Sequence, residues 1–237
     1  MTDLNPNFEY ADSFAQKLEK QIQPNVKEVK NGKFVNEILD GTFPLEGIKF
    51  WIEQTYHLVM NDMGNLSLYV TKARNLKELE FFLFMTVAEK MMLESHYLLL
   101  KAANISNDRL ADSQPALECS YRTNYFSKLA ITAKPGEIAL GILLNFPVWA
   151  AGARALSKGL KKNYGFGKST TDPDKLDTDV LDRFSKATRG FQIQAIDIIA
   201  ADLNEETEES MAHVGNLAVD YETLVWENYY KKGIEFQ

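Results

Sequence analysis

The chain has 237 residues, of which 45% are hydrophobic and 25% charged, and its formal net charge is −7 at pH 7. This acidic balance argues against nucleic acid or an anionic membrane as a partner. The sequence starts without the basic segment and apolar run of a signal peptide, and no apolar stretch reaches the length of a spanning helix. A single cysteine excludes an internal disulfide and is typical of a reducing compartment, so we expect a cytoplasmic protein.

The hydrophobic periodicity is helical almost throughout. Asp40-Gly41 is a stop signal, Pro44 suits the first turn of the next helix, and Pro147 should kink the helix that contains it. In chain order, the pattern predicts helices over 8–22, 33–39, 44–72, 76–102, 115–130 and 135–163, then one ending at 203 and a last one over 205–232.

The longest polar, turn-rich stretch covers residues 164–178. We interpret it as a loop insertion and not as a linker, because the helices on both sides have a similar composition. Residues 1–237 are therefore predicted to form a single all-α domain of about seven or eight helices.

Three pairs of a carboxylate and a histidine are spaced so that both side chains share one helix face: Glu53 with His57, Glu89 with His96, and Asp220 with His213. Carboxylate and imidazole are ligands for iron, manganese or zinc, and helix-bundle metal centres collect such ligands from several helices. Glu and His are also common on solvent-facing helix surfaces, so each pair has this second interpretation.

Aromatic residues beside small residues in "NFPVWAAGARAL" and "VDYETLVWENYYKKG" could line a pocket for a flat ligand or fill the core. Pro147 should open space beside Ala150, Ala151 and Gly152, which Trp149 or Trp226 can border but not fill. Glu222 lies in an otherwise apolar stretch, where an unpaired carboxylate is costly. We expect it to hydrogen-bond a ligand or a tyrosine, Tyr56 or Tyr121; the alternative is that it faces solvent.

Two segments, "KFVNEILDGTFPLEGIKFWIEQTYHL" and "DYETLVWENYYKKG", resemble the TenA/PqqC-like family, and the resemblance extends over roughly residues 30 to 233. That family has the haem-oxygenase-like all-α fold. The resemblance implies a helical bundle with a central small-molecule pocket, assembled as a homodimer or higher homo-oligomer. On this basis the expected ligand-binding residues are Thr55, Tyr56, Tyr121, Trp149 and Trp226, and the expected catalytic residues are Glu222 and His57.

The thiaminase II members of the family hydrolyse aminopyrimidines with an Asp, a Cys and a Glu. The Glu matches Glu222, but Thr55 stands at the Asp position and Phe146 near the Cys position. Phenylalanine is neither a nucleophile nor a hydrogen-bonding group. We therefore expect no thiaminase II activity.

A second branch is CADD-like, after the chlamydial death-domain-associating protein, and holds two iron ions. Glu89 and His96 match the spacing of its first metal motif, whereas its later His and Glu ligands are largely missing here. Iron or manganese would therefore bind weakly or not at all. The two resulting hypotheses are an oxidase of the CADD-like branch with a degenerate metal site, or a cofactor-free relative of it, and a non-catalytic protein that binds a small molecule or a partner.

Overall fold

The structure, a computed structural model, describes residues 4–167 and 176–236. These residues form eleven α-helices and a terminal 3₁₀ helix, Ile234–Phe236, with no β-strand among them, which confirms the all-α prediction. The α-helices are α1 (Phe8–Gln21), α2 (Gln23–Lys30), α3 (Lys33–Asp40), α4 (Leu45–Val70), α5 (Leu76–Ala102), α6 (Asn107–Asp112), α7 (Leu117–Thr132), α8 (Pro135–Asn163), α9 (Asp179–Arg183), α10 (Arg189–Asp202) and α11 (Glu208–Gly233).

The number of helices exceeds the seven or eight expected because short helices separate the long ones. The first helix ends at Gln21, close to the predicted end at 22, and Pro24 lies in the first turn of α2. Proline is tolerated there because the first N–H groups of a helix have no partner within the helix. The helices α6 and α9, with six and five residues, are too short to show an apolar period in the sequence.

Helix α8 forms the centre of the bundle and packs against α2, α3, α10 and α11. Its side chains Leu140, Leu144 and Leu156 are completely buried. Among the described helices, α8 is also the one long and apolar enough to cross a membrane. In its most apolar stretch, 67% of the helix is buried inside the protein, as in a core helix.

Arg74, just before α5, takes part in a network of hydrogen bonds that connects α5, α8 and α10. Its guanidinium donates to Glu78 of α5 at 2.7 Å and to Asp202 at the end of α10 at 2.6 Å. Asp202 also accepts the backbone N–H of Gly136 at 2.8 Å, in the first turn of α8. A carboxylate at the start of a helix is stabilised by the unpaired N–H groups of the first turn. The ion pair of Arg74 with Asp202 therefore connects α5, α8 and α10.

The bend between α3 and α4 follows the predicted stop signal. Gly41 ends α3 with φ of 78°, in the left-handed region that glycine enters without strain. Pro44 precedes the first residue of α4. Part of the predicted insertion 164–178 lies outside the described residues, so the insertion and the single-domain assignment stay predictions.

The space beside Gly152 is filled, which corrects the expectation of an opening there. Helix α8 continues through Pro147, and a β-carbon on Gly152 would lie 2.2 Å from Cη2 of Trp226. The indole of Trp226 therefore occupies the volume that a side chain at 152 would take. The glycine is required by this close approach of α11 to α8.

We predict that Gly152→Ala lowers the free energy of unfolding by about 1–3 kcal/mol, because the added methyl group overpacks against Trp226. Gly64→Ala is the matched control in α4, where an added β-carbon meets nothing within 4 Å. The control should stabilise the protein by about 0.5–1 kcal/mol through helix propensity. Urea unfolding of both variants measures the difference, and equal effects would contradict this packing.

Candidate functional site

A cavity of about 400 Å³ lies among α4, α5, α7, α8 and α11. This volume is within the range of small-molecule sites. The chain has three tryptophans, and all of them, Trp51, Trp149 and Trp226, line the cavity. It opens to solvent where the exposed side chains of Phe84 and Val87 and the segment 183–188 form its edge.

Six of the residues expected to bind ligand or act in catalysis are divided between the cavity lining and other positions. Thr55 of α4 lines the cavity, as Trp149 and Trp226 do. Tyr56 and His57 lie outside the lining, because each residue turns an α-helix by about 100° away from the previous one. The ring of Tyr56 instead packs against His57 and His96, and His57 Nε2 lies 2.7 Å from the hydroxyl of Ser113. The last, Tyr121, is 44% exposed and also lies outside the lining.

Glu222 lines the cavity and is only 2% exposed. Its Oε2 accepts Nε of Arg122 at 2.7 Å and Nδ2 of Asn145 at 3.1 Å, and its Oε1 accepts the indole N–H of Trp226 at 2.8 Å. The prediction that a tyrosine binds Glu222 is therefore wrong, and so is the alternative that Glu222 faces solvent. The glutamate is held in one position by three donors.

Arg122 of α7 is the residue at the centre of this arrangement. Besides Glu222, it binds Asp62 of α4, with Nη1 at 3.0 Å from Oδ1 and 2.9 Å from Oδ2. The guanidinium carbon lies 4.9 Å from the ring centre of Phe126, one helix turn further along α7. The Arg122 side chain is 9% exposed, so the positive charge is largely removed from water.

Neither Arg122 nor Asp62 was predicted as a site residue, although each stands in the sequence as a charged residue on an apolar helix stripe. Arg122 falls on the buried stripe of α7 formed by Cys119, Phe126 and Leu129, and Asp62 falls on the stripe of α4 formed by Leu58, Leu66 and Tyr69. A charged residue at such a position is rarely buried without a partner. Two opposite charges on two apolar stripes therefore predict a buried ion pair.

Glu89 of α5 also lines the cavity, but its Oε1 is buried without a hydrogen-bond partner. Burial raises the pKa of Glu89 to about 8, and the negative charge of Asp62 contributes to the rise. At neutral pH this carboxyl group is therefore mainly protonated and neutral. It can donate a hydrogen bond as well as accept one.

His96, two turns further along α5, is completely buried and lies outside the cavity lining. Its Nε2 lies 2.9 Å from the carbonyl oxygen of Ile52, so this nitrogen carries the hydrogen, and Nδ1 has no partner. Burial lowers the pKa of His96 to about 4, although the bond to Ile52 opposes the shift. The ring is therefore neutral and directed towards α4.

The metal site that the resemblance implies needs at least three converging ligands. Between residues 4 and 167 and between 176 and 236, no group of three or more His, Cys, Asp or Glu side chains is placed to hold a metal ion. Asp197 binds Lys77 at 2.8 Å, and Asp202 is held by Arg74. His213 lies on the exposed face of α11. The described side chains therefore do not fit an iron or manganese centre at Glu89 and His96.

The single cysteine, Cys119, is completely buried and lies outside the cavity lining. Burial raises the pKa of its thiol to about 12, so the reactive thiolate does not form at neutral pH. Thr55 and Phe146, which stand at the acid and nucleophile positions of the thiaminase pattern, both line the cavity together with Glu222. Of the three residues of the thiaminase pattern, the cavity thus has the glutamate without the aspartate or the thiol.

We predict that Glu222→Gln lowers the free energy of unfolding by about 2–3 kcal/mol, because the buried charge of Arg122 loses one of its two carboxylates. Asp220→Asn, on the exposed face of the same helix, should change stability by less than about 0.5 kcal/mol. Urea unfolding of the two variants distinguishes a structural carboxylate from a surface one. An equal, small effect would show that Glu222 does not support the network.

We also predict that Glu89 makes the protein less stable as pH rises. Its folded-state pKa of about 8 lies above the ordinary value of 4.5, so its stabilising contribution is complete below 4.5 and is lost as pH rises through 8. Relative to Glu89→Gln, the wild-type free energy of unfolding should fall by about 1.4 kcal/mol per pH unit between pH 5 and 8. Urea unfolding across this range measures it, with the exposed Glu80→Gln as control. Parallel pH curves for wild type and Glu89→Gln would contradict the assignment.

Comparison with known proteins identifies the fold and the family. A structure from Shewanella denitrificans OS217, described as having a heme oxygenase-like fold, matches with a TM-score of 0.77 at 14% identity, covering 94% of both chains. The TenA homologue from P. horikoshii OT3 matches with a TM-score of 0.70 at 18% identity, covering 92% of this chain and 98% of that one. A putative TenA-like thiaminase from Sulfolobus solfataricus P2 gives 0.68 at 15% identity, with 92% and 95% covered.

These structural matches show that the chain has the haem-oxygenase-like fold. At sequence identities this low, structural similarity shows the fold and not the function. No curated protein sequence matches the chain. The sequence model of the TENA/THI-4/PQQC family matches residues 19–232, which is most of the 237-residue chain. The chain therefore belongs to the TENA/THI-4/PQQC family.

Proposed function

We propose that this protein binds a small organic molecule in the cavity among α4, α5, α7, α8 and α11. The observation that carries the proposal is the combination of aromatic walls with a buried polar end, where Asp62, Glu89 and Arg122 line the same space. Ligand sites have this composition, because apolar walls supply affinity and a few fixed polar groups supply orientation. Glu222 holds Arg122 in place, and Arg122 in turn holds Asp62.

Thiaminase activity is not part of the proposal, although one structural neighbour is described as a putative thiaminase. At the positions that resemble the catalytic acid and nucleophile of that activity, this chain has Thr55 and Phe146. The hydroxyl of Thr55 donates to the backbone carbonyl of Trp51 at 2.9 Å, and Cys119 lies outside the lining. The cavity therefore offers no thiolate for covalent attack.

An oxidase of the CADD-like branch is also less well supported than a binding protein. The metal half-site consists of Glu89, which faces the cavity, and His96, whose Nε2 is bound to the carbonyl of Ile52. Two ligands that face different surroundings do not form a metal centre. A cytoplasmic location and a homodimer or higher homo-oligomer remain parts of our proposal.

The tryptophans provide a direct test, because all three line the cavity and any occupant changes their surroundings. We predict that a small-molecule fraction of cell extract shifts the intrinsic fluorescence of the full chain, saturably. Ala88→Phe places a phenyl ring in the cavity lining and should weaken this response at least tenfold.

Lys101→Phe adds the same ring to the exposed side of α5 and should leave the response unchanged. Mass spectrometry of the bound fraction after denaturation then gives the mass of the occupant. A response that is absent in the wild type, or equal in both variants, would contradict binding in this cavity.

A further inference from the structure

The polar end of the cavity contains more acidic than basic side chains. Asp62, Glu89 and Glu222 contribute three carboxyl groups, and Arg122 contributes one guanidinium. Arg122 directs Nη1 to both oxygens of Asp62 and Nε to Glu222, so its charge is shared between two carboxylates. The excess of carboxyl groups favours an occupant that brings a positive charge, because such a charge stabilises the ionised form of Glu89 beside it.

Two of the three carboxyl groups remain available to such an occupant. Both oxygens of Glu222 are bound by protein donors, three in total. Among the described residues, Asp62 has only Arg122 as a hydrogen-bond partner, and its side chain is 20% exposed. Glu89 lines the cavity with Oε1 buried and unpartnered. A buried carboxyl oxygen without a partner costs free energy that a ligand donor would recover.

The charged groups that face Glu89 from the neighbouring helices are Asp62 of α4, Arg122 of α7 and, beyond Arg122, Glu222 of α11. The other cations among the described lining residues are Arg183 and Lys186, and both are exposed at the edge of the cavity. Arg183 is also paired with Asp179 at 3.1 Å. No second buried cation in the described lining competes for the pair formed by Asp62 and Glu89.

The walls of the cavity suit an organic cation better than a hydrated ion. Trp51, Trp149 and Trp226 line it, and tryptophan is the aromatic side chain that attracts cations most strongly. An inorganic divalent ion would need three or four ligands, which the described side chains do not bring together. An ammonium group needs only two or three hydrogen-bond acceptors and imposes no rigid coordination geometry.

Building on the proposed binding function, we propose that the ligand is an organic ammonium ion whose nitrogen binds between the carboxyl groups of Asp62 and Glu89. Its apolar body lies against the tryptophans. This subsite lies on α4 and α5 and differs from the positions of Thr55 and Phe146. Glu89 therefore recognises a positively charged group of the ligand and does not coordinate metal.

Three probes with the same aromatic body and different polar ends test the inference: 2-phenylethylamine, 2-phenylethanol and 3-phenylpropanoate. Titration of the full chain at pH 7, followed by tryptophan fluorescence, should show the amine binding at least tenfold more tightly than the alcohol. The carboxylate should bind most weakly, because the negative charge of Asp62 repels it. Glu89→Gln should weaken amine binding about tenfold and leave alcohol binding unchanged.

Asp62→Asn is the second variant and should show the same selective loss, while Glu80→Gln, exposed on α5, is the control. Circular dichroism and melting curves establish that each variant is folded. Equal affinities for amine and alcohol, or a preference for the carboxylate, would overturn the ammonium inference and leave the binding function standing.

Failure of all three probes also overturns the inference, and if the cell-extract fraction fails as well, the binding function is overturned with it. Manganese(II) and iron(II) are tested alone by equilibrium dialysis and elemental analysis. Near-stoichiometric metal that is lost on Glu89→Gln would replace the ammonium site by a metal site.

Discussion

The ion pair of Arg122 with Glu222 and Asp62 is the interaction on which the rest of the site depends. It joins α4, α7 and α11, and Asn145 adds α8 through its bond to Glu222. Removal of one partner from a buried ion pair typically costs about 3–5 kcal/mol, because the remaining charge stays out of water. Four of the five helices around the cavity are therefore held in register by this polar network as well as by apolar packing.

The same network also positions the aromatic wall. Glu222 accepts the indole N–H of Trp226, and that indole fills the space beside Gly152 of α8. A tryptophan that is fixed at its N–H and at its ring edge cannot move aside without breaking both contacts. Glu222, which matches the glutamate of the thiaminase II members, is thus bound by structural partners here, and the polar groups left facing the cavity are few.

Helix α5 shows how two residues with a motif spacing reach different surroundings. Glu89 and His96 lie two turns apart on one face, yet Glu89 meets the cavity and His96 meets the backbone of α4 at Ile52. The helix is long enough to extend past the end of the cavity, so two residues on one face of it can contact different parts of the protein. This is why a spacing that matches a metal motif does not produce a metal centre without ligands from other helices.

The individual helices could be predicted because their signals are local. The predicted bounds 76–102 and 135–163 are those of α5 and α8, and Gly41 ends α3 in the left-handed conformation that the sequence indicated. Apolar periodicity, proline and glycine act over a few residues, so they can be read without knowledge of the partner. The predicted first helix, 8–22, agrees with α1, whereas α2 was not predicted, because proline begins helices as well as ending them.

The sequence alone thus determined the all-α class, the long helices and the family, and it indicated Glu222, Trp149 and Trp226 as residues of interest. Only the tertiary structure decided which charges meet. Asp62 and Arg122 are 60 residues apart, and Arg122 and Glu222 are 100 apart, so no local pattern pairs them. Their pairing depends on how the apolar stripes of α4, α7 and α11 pack, because that packing brings the charged positions on each stripe to one buried point.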